Sequence, residues 1–130
     1  MKKIALFLLS GLALVTAPGC SKKNDSDPNV TKEYQVEYRV SSPNATIADD
    51  IHYTNETGGT TMLDNVALPA TYKFKRTMKR SDSSLILARL SGGTATSEIT
   101  ASILLDGKEM KKATGRGANA QVVPVYIIGE

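Results

Sequence analysis

Glu33-Tyr34-Gln35-Val36-Glu37-Tyr38-Arg39-Val40 alternates polar and apolar side chains without a break. A period of two puts Tyr34, Val36, Tyr38 and Val40 on one face of an extended chain and Glu33, Gln35, Glu37 and Arg39 on the other. That pattern predicts a strand buried on one side only.

The same reading continues at short, nearly regular intervals. Ser42-Pro43-Asn44 turns the chain, and Ile47 with Ile51–Thr54 makes a second strand, ended by Asn55-Glu56-Thr57-Gly58-Gly59. Thr60–Leu68 is a third, closed by Pro69. In the fourth, Tyr72, Phe74, Arg76 and Met78 share one face, and Lys73, Lys75, Thr77 and Lys79 the other. Ser84–Leu90 is apolar on both faces and is expected in the middle of a sheet. Ile99, Ala101, Ile103 and Leu105 alternate inward along a sixth strand. Asp106-Gly107 then reads as a two-residue hairpin turn of type I′, in which both central residues need positive φ. Lys108–Ala113 pairs back, Gly115-Arg116-Gly117 loops, and Gln121–Ile128 is the last strand. After residue 20 no apolar set recurs at helical spacing for three turns. The expectation is an all-β domain over residues 33–130, a small antiparallel sandwich of about seven or eight strands.

What precedes the domain is of a different kind. Lys2-Lys3 is followed by Ile4–Val15, an almost unbroken apolar run of 12 residues. It has the length of a signal-peptide core and falls short of the roughly 20 residues of a spanning helix. Ala17-Pro18-Gly19 leads into Cys20, the only cysteine. The arrangement resembles the lipobox of bacterial lipoproteins, which implies cleavage after residue 19, acylation of Cys20 and attachment to a membrane through that lipid. Each buried acyl CH₂ contributes about 0.8 kcal/mol, so several chains hold firmly where one does not. Ser21 follows in place of the Asp that marks inner-membrane retention, which favours the outer membrane. Residues 20–32 are polar, charged and interrupted by Pro28, the composition of a flexible tether.

Cleavage would also remove Lys2 and Lys3. Of 16 basic residues 14 would remain against 13 acidic ones, lowering the net charge from +3 to +1 and withdrawing the compositional support for a nucleic-acid partner. A lone cysteine committed to lipid and a lone histidine, His52, do not make a typical zinc site. Asp49, Asp50, Asp64 and Asp106 lack the spacing of a calcium loop. No cofactor is implied. His52 is expected outward on its strand, without a neighbouring serine or aspartate motif to make it a catalytic base. The densest charge is Lys73, Lys75, Arg76, Lys79 and Arg80, of which Lys73, Lys75 and Lys79 would share a strand face. Such a face can meet an anionic partner, or it can simply guard a sheet edge against aggregation. Asn44-Ala45-Thr46 and Asn55-Glu56-Thr57 match the glycosylation sequon and read as surface turns.

Several of these segments together carry a family likeness. Tyr38-Arg39-Val40, Ile51-His52-Tyr53-Thr54, Asp64-Asn65-Val66-Ala67-Leu68-Pro69, Leu87-Ala88-Arg89-Leu90 and Ile99–Leu105 with Asp106-Gly107-Lys108 resemble the MmpS-type small membrane proteins of mycobacteria. The resemblance implies an Ig-like sandwich held at a membrane by its N-terminus, and a role assisting RND-type exporters. Ala101 stands where that family commonly has a cysteine. The functional expectation is a non-enzymatic, lipid-anchored envelope protein that contacts a protein partner, with Lys73, Lys75 and Lys79 as the candidate surface. The alternative is a surface ligand- or glycan-binding module, which would gather aromatic or carboxylate side chains near Asn55–Thr60 or Gly92–Thr96. A hydrolase centred on His52 is the third.

Overall fold

The computed structural model describes residues 27–130. The expected signal peptide (1–19), the expected anchor Cys20 and the tether up to residue 26 lie outside the described residues. Nine strands follow in order among the described residues: β1 (Thr31–Ser41), β2 (Ile47–Thr54), β3 (Thr60–Ala67), β4 (Ala70–Lys79), β5 (Ser83–Arg89), β6 (Glu98–Leu105), β7 (Lys108–Arg116), β8 (Gln121–Val122) and β9 (Val125–Ile127). They form two antiparallel sheets, β4-β1-β6-β7 and β3-β2-β5-β8, with β9 also paired to β5. The architecture is the small all-β sandwich that the period-two pattern predicts, and β5 is central as its apolar composition requires. Among the described residues no helix is long and apolar enough to cross a membrane.

The inward faces meet in one core. Val36, Tyr38 and Val40 of β1, Met78 of β4 and Ile99, Ala101, Ile103 and Leu105 of β6 pack against Ala48 and Ile51 of β2, Ile86 and Ala88 of β5 and Val122 of β8. An aromatic group crosses between the sheets: Tyr53 stacks on Tyr72 at 4.6 Å, and Tyr38 lies 5.5 Å from Tyr53 and 5.9 Å from Phe74. Tilted and offset pairs at these separations add to the area they bury. Arg76, on the inward face of β4, donates from Nη1 to the Ser83 carbonyl at 2.7 Å and so ties one sheet to the other.

The strand limits differ from the sequence expectation in three informative places. The single last strand divides into β8 and β9 around Pro124, which has no N–H to give to a ladder; its carbonyl instead accepts the Ile86 N–H at 3.3 Å. Gly115 and Arg116, expected in a loop, continue β7, with Gly115 opposite Ile99. Ala48 and Ile51 are both fully buried although a spacing of three puts them on opposite faces of a regular strand. Between them the β2–β3 register passes from Ala48–Val66 to Asp50–Asp64 without an intervening rung, beside Asn65 at φ 51°.

The Asp106-Gly107 turn forms as read, with φ of 50° and 81°. Asp106 does more than turn the chain. Its N–H donates to the Gln35 carbonyl at 2.9 Å, and its carboxylate accepts the Gln35 N–H at 2.9 Å, fastening the hairpin to β1. That N–H, and then Lys32 at 3.4 Å, hold the carboxyl below its ordinary 3.8. A depressed folded pKa gives stability that is complete above the unfolded value and is lost as pH falls through the folded one. Asp106→Asn, which keeps the turn and an accepting oxygen, is therefore expected to abolish a step in denaturation midpoint that the parent protein shows below pH 3.8. Parallel midpoint curves for the two proteins in that range would disprove the contribution of the Gln35 contact.

Candidate functional site

β4 is an outermost strand. It pairs only with β1, from Thr31–Lys79 to Val40–Ala70, so its other main-chain edge has no strand partner among the described residues. Its inward residues are half-buried or buried, while Lys73, Lys75, Thr77 and Lys79 are exposed. The face that the alternation predicts is therefore present, on the kind of edge that lysines protect.

The three lysines do not form one basic patch. Lys73 and Lys75 sit opposite Glu37 and Gln35 of β1. Lys75 reaches Glu33 at 3.4 Å, and Glu37, buried apart from 7 % of its surface, takes Arg39 at 2.6 Å. Cations and carboxylates thus alternate across β4 and β1. The exposed Lys75–Glu33 pair contributes about 0–1 kcal/mol to stability. Lys79 stands apart, opposite Thr31 at the first rung of β1, beside Arg80. Arg76, part of the same dense run, is drawn inward to Ser83.

His52 faces outward, opposite to buried Ile51, and is half-buried because it lies on β2 between Met62 of β3 and Leu87 of β5. Its Nε2 is 4.0 Å from Asp50 Oδ2, and no hydroxyl is hydrogen-bonded to it among the described residues. Asp50, which lacks the spacing of a calcium ligand, has a partner that the sequence does not reveal. It is 8 % exposed, Arg89 on β5 donates to Oδ2, and Oδ1 has no hydrogen-bond partner among the described residues. The pair joins residues 39 apart in sequence, so no local motif announces it. On the same face Met62 is 67 % exposed.

Of the two loops named for the ligand-binding alternative, Gly92–Thr96 borders a small open cavity of about 360 Å³ between Asn44–Ile47 and Leu90–Ser97. Its polar groups are turned on one another: Asn44 Nδ2 donates to the Thr96 carbonyl at 2.8 Å, the Glu98 N–H to Asn44 Oδ1 at 3.1 Å, and the Thr94 N–H to Ser97 Oγ at 2.8 Å. No aromatic or carboxylate side chain lines it among the described residues. At the opposite loop Thr57 and Asn55 satisfy each other in the same way, Thr57 Oγ1 donating to Asn55 Oδ1 at 2.8 Å. Neither loop contains an aromatic residue, and Glu56 is the one carboxylate in the two. Among the described residues no group of three or more histidine, aspartate or glutamate side chains is placed to hold a metal.

No curated protein matches the chain. The sequence pattern of the Mycobacterium membrane protein family matches residues 9–124, which takes in the whole sandwich as far as Pro124 and part of the apolar N-terminal run. The segments that resembled MmpS-type proteins all fall inside this span. By that match the chain belongs to the Mycobacterium membrane protein family and is a membrane-associated protein of the cell envelope.

Proposed function

We propose that the chain is a non-enzymatic accessory protein, anchored by lipid on Cys20, whose sandwich docks onto an envelope protein partner through the β4 edge. One observation carries the reading: β4 is a ten-residue strand with one edge unpartnered among the described residues, long enough to accept a strand from another protein. Main-chain hydrogen bonds along Ala70–Lys79 would supply affinity, and Lys73 and Lys75 would select a partner strand with acidic residues at alternate positions. The family resemblance supports an RND-type exporter, or its periplasmic adaptor, as that partner. A lipid on Cys20 with a short polar tether keeps such an edge within reach of a membrane complex.

A photoactivatable residue placed at Lys73 in the full-length protein, crosslinked in cells, is expected to capture the exporter or adaptor. The same residue at Lys112 on β7, the other edge of that sheet, should not. Cys20→Ala is expected to abolish the capture by releasing the protein from the membrane. Equal capture from both edges, or captures confined to abundant outer-membrane proteins, would sink the edge-docking reading.

A further inference from the structure

At the end of the sandwich where the described chain begins, an open cleft of about 740 Å³ lies between the entry to β1, the β4–β5 turn and the segment after β9. Val30, 41 % exposed, and Ile128 give it apolar walls, and Lys32, Lys79 and Arg80 stand around it. The walls are cross-braced. Ser81 N–H donates to the Ile128 carbonyl at 3.0 Å, and Ile128 N–H to the Asp82 carbonyl at 2.9 Å. Arg80 lies across Gly129, where an added Cβ would meet its Cγ at 3.1 Å.

Of the nearby acids, two accept backbone N–H groups and keep their charge, and one is ion-paired. Asp27 accepts the Asn29 N–H at 2.9 Å, Asp82 accepts the Lys79 N–H at 3.0 Å, and Asp106 pairs with Lys32, whose ammonium also sits over the Tyr34 ring at 4.7 Å. Lys79 and Arg80 have no ion-pair partner among the described residues. The cavity at the other end of the sandwich is lined by no charged residue at all among the described residues. Among the described residues, the cleft at this end therefore sets cations beside an apolar wall and the cavity at the other end does not.

We propose that this cleft receives the headgroup of an anionic phospholipid of the membrane to which the chain is attached. The phosphate would meet Lys79 and Arg80, and Val30 and Ile128 would face the glycerol and upper acyl region. The inference rests on the anchoring reading above. Fully extended, the stretch from Cys20 to Asp27 spans at most about 25 Å. A lipid on Cys20 would therefore keep this end of the domain within that distance of the bilayer, close enough for it to touch the surface. The attraction to an anionic surface fades within a Debye length of about 8 Å, so the cations at this end count and those farther along the sheets do not. Each such cation is expected to contribute about fivefold to contact with the surface, the two together about 25-fold.

The test uses the full-length acylated protein in nanodiscs of phosphatidylcholine alone or mixed with phosphatidylglycerol, read by amide hydrogen exchange. Exchange over Asp27–Lys32 and Lys79–Asp82 is expected to be slower in the anionic discs. Lys79→Gln with Arg80→Gln should erase the difference, while Lys111→Gln with Lys112→Gln on β7 should preserve it. Equal exchange in the two kinds of disc, with the protein firmly attached, would overturn the cleft proposal and leave the anchor standing. Equal losses from the two double variants would reduce the effect to overall charge and overturn it as well. Loss of the difference on adding soluble glycerol phosphate would reassign the cleft to free anions. A protein that fails to remain with either disc would overturn the anchoring reading, and the cleft proposal with it.

Discussion

Tyr38→Ala is expected to destabilise the domain by about 4 kcal/mol, among the largest losses that a single side chain here can cause. Tyr38 is fully buried at the middle of β1, between Tyr72 of β4 and Ile103 of β6 in the ladder. Its ring touches the aromatic group on two sides, and its hydroxyl donates to the Thr54 carbonyl of the opposite sheet at 3.0 Å. Truncation would open a cavity where the two sheets meet and leave that carbonyl without its donor. Domains of this kind have about 5–15 kcal/mol in total, so much of the margin would go. Tyr38→Phe separates the two effects, since it keeps the packing and should cost about 1 kcal/mol. Burial also raises the phenol above its ordinary 10.0, which makes its contribution complete below that pH and diminishing as pH rises beyond it. Urea denaturation of the three proteins checks the order, and a loss below about 2 kcal/mol for Tyr38→Ala would show that the site collapses readily.

The second large effect comes from adding one carbon. A Cβ at Gly115 would lie 2.3 Å from the Gln121 carbonyl oxygen and 2.8 Å from its carbon. Both obstructing atoms are backbone, and Gln121 is committed to the β5–β8 ladder through Arg89. The chain crosses from the first sheet to the second immediately after β7, and Gly115 is where the returning β8 backbone lies against it. Gly115→Ala is expected to cost about 3 kcal/mol and to loosen the β8 pairing, with faster amide exchange at Val122. Gly107→Ala makes the contrast, because that position has open space and only an unfavourable φ of 81°. It should cost about 1 kcal/mol. If the two substitutions proved equal in denaturation midpoint, the close approach of β8 to β7 would not be limiting.

Gly115 also shows where sequence reading stops. A glycine before Arg116-Gly117 looks like a loop, and only the crossing of two backbones explains why the position must stay small within a strand. Pro124 is the converse case: its effect on a ladder is local chemistry, yet the run around it is apolar enough to pass for one strand. Asp50 and Arg89 illustrate a third limit. Each is ordinary in its own strand, and the antiparallel β2–β5 register puts them in direct contact.

For the candidate surface, the alternation along β4 correctly sorted Lys73, Lys75 and Lys79 from Tyr72, Phe74 and Met78. It gave no sign of what lay alongside. Glu33 and Glu37 become neighbours of those lysines only through the β1–β4 register, and Lys79 is brought beside Val30 by the β1–β4 pairing and beside Ile128 by the β5–β9 pairing.

The all-β class, the inward faces of β1, β4 and β6 and the Asp106-Gly107 turn are all legible in the order of residues alone. Those features depend on side-chain alternation and on φ preferences within a few residues. Which strands are edges, which charges are neutralised and where an apolar wall meets cations without an ion-pair partner among the described residues became visible in the folded sheets alone. These follow from pairings between residues far apart in the chain, whose selection depends on burying the whole core at once.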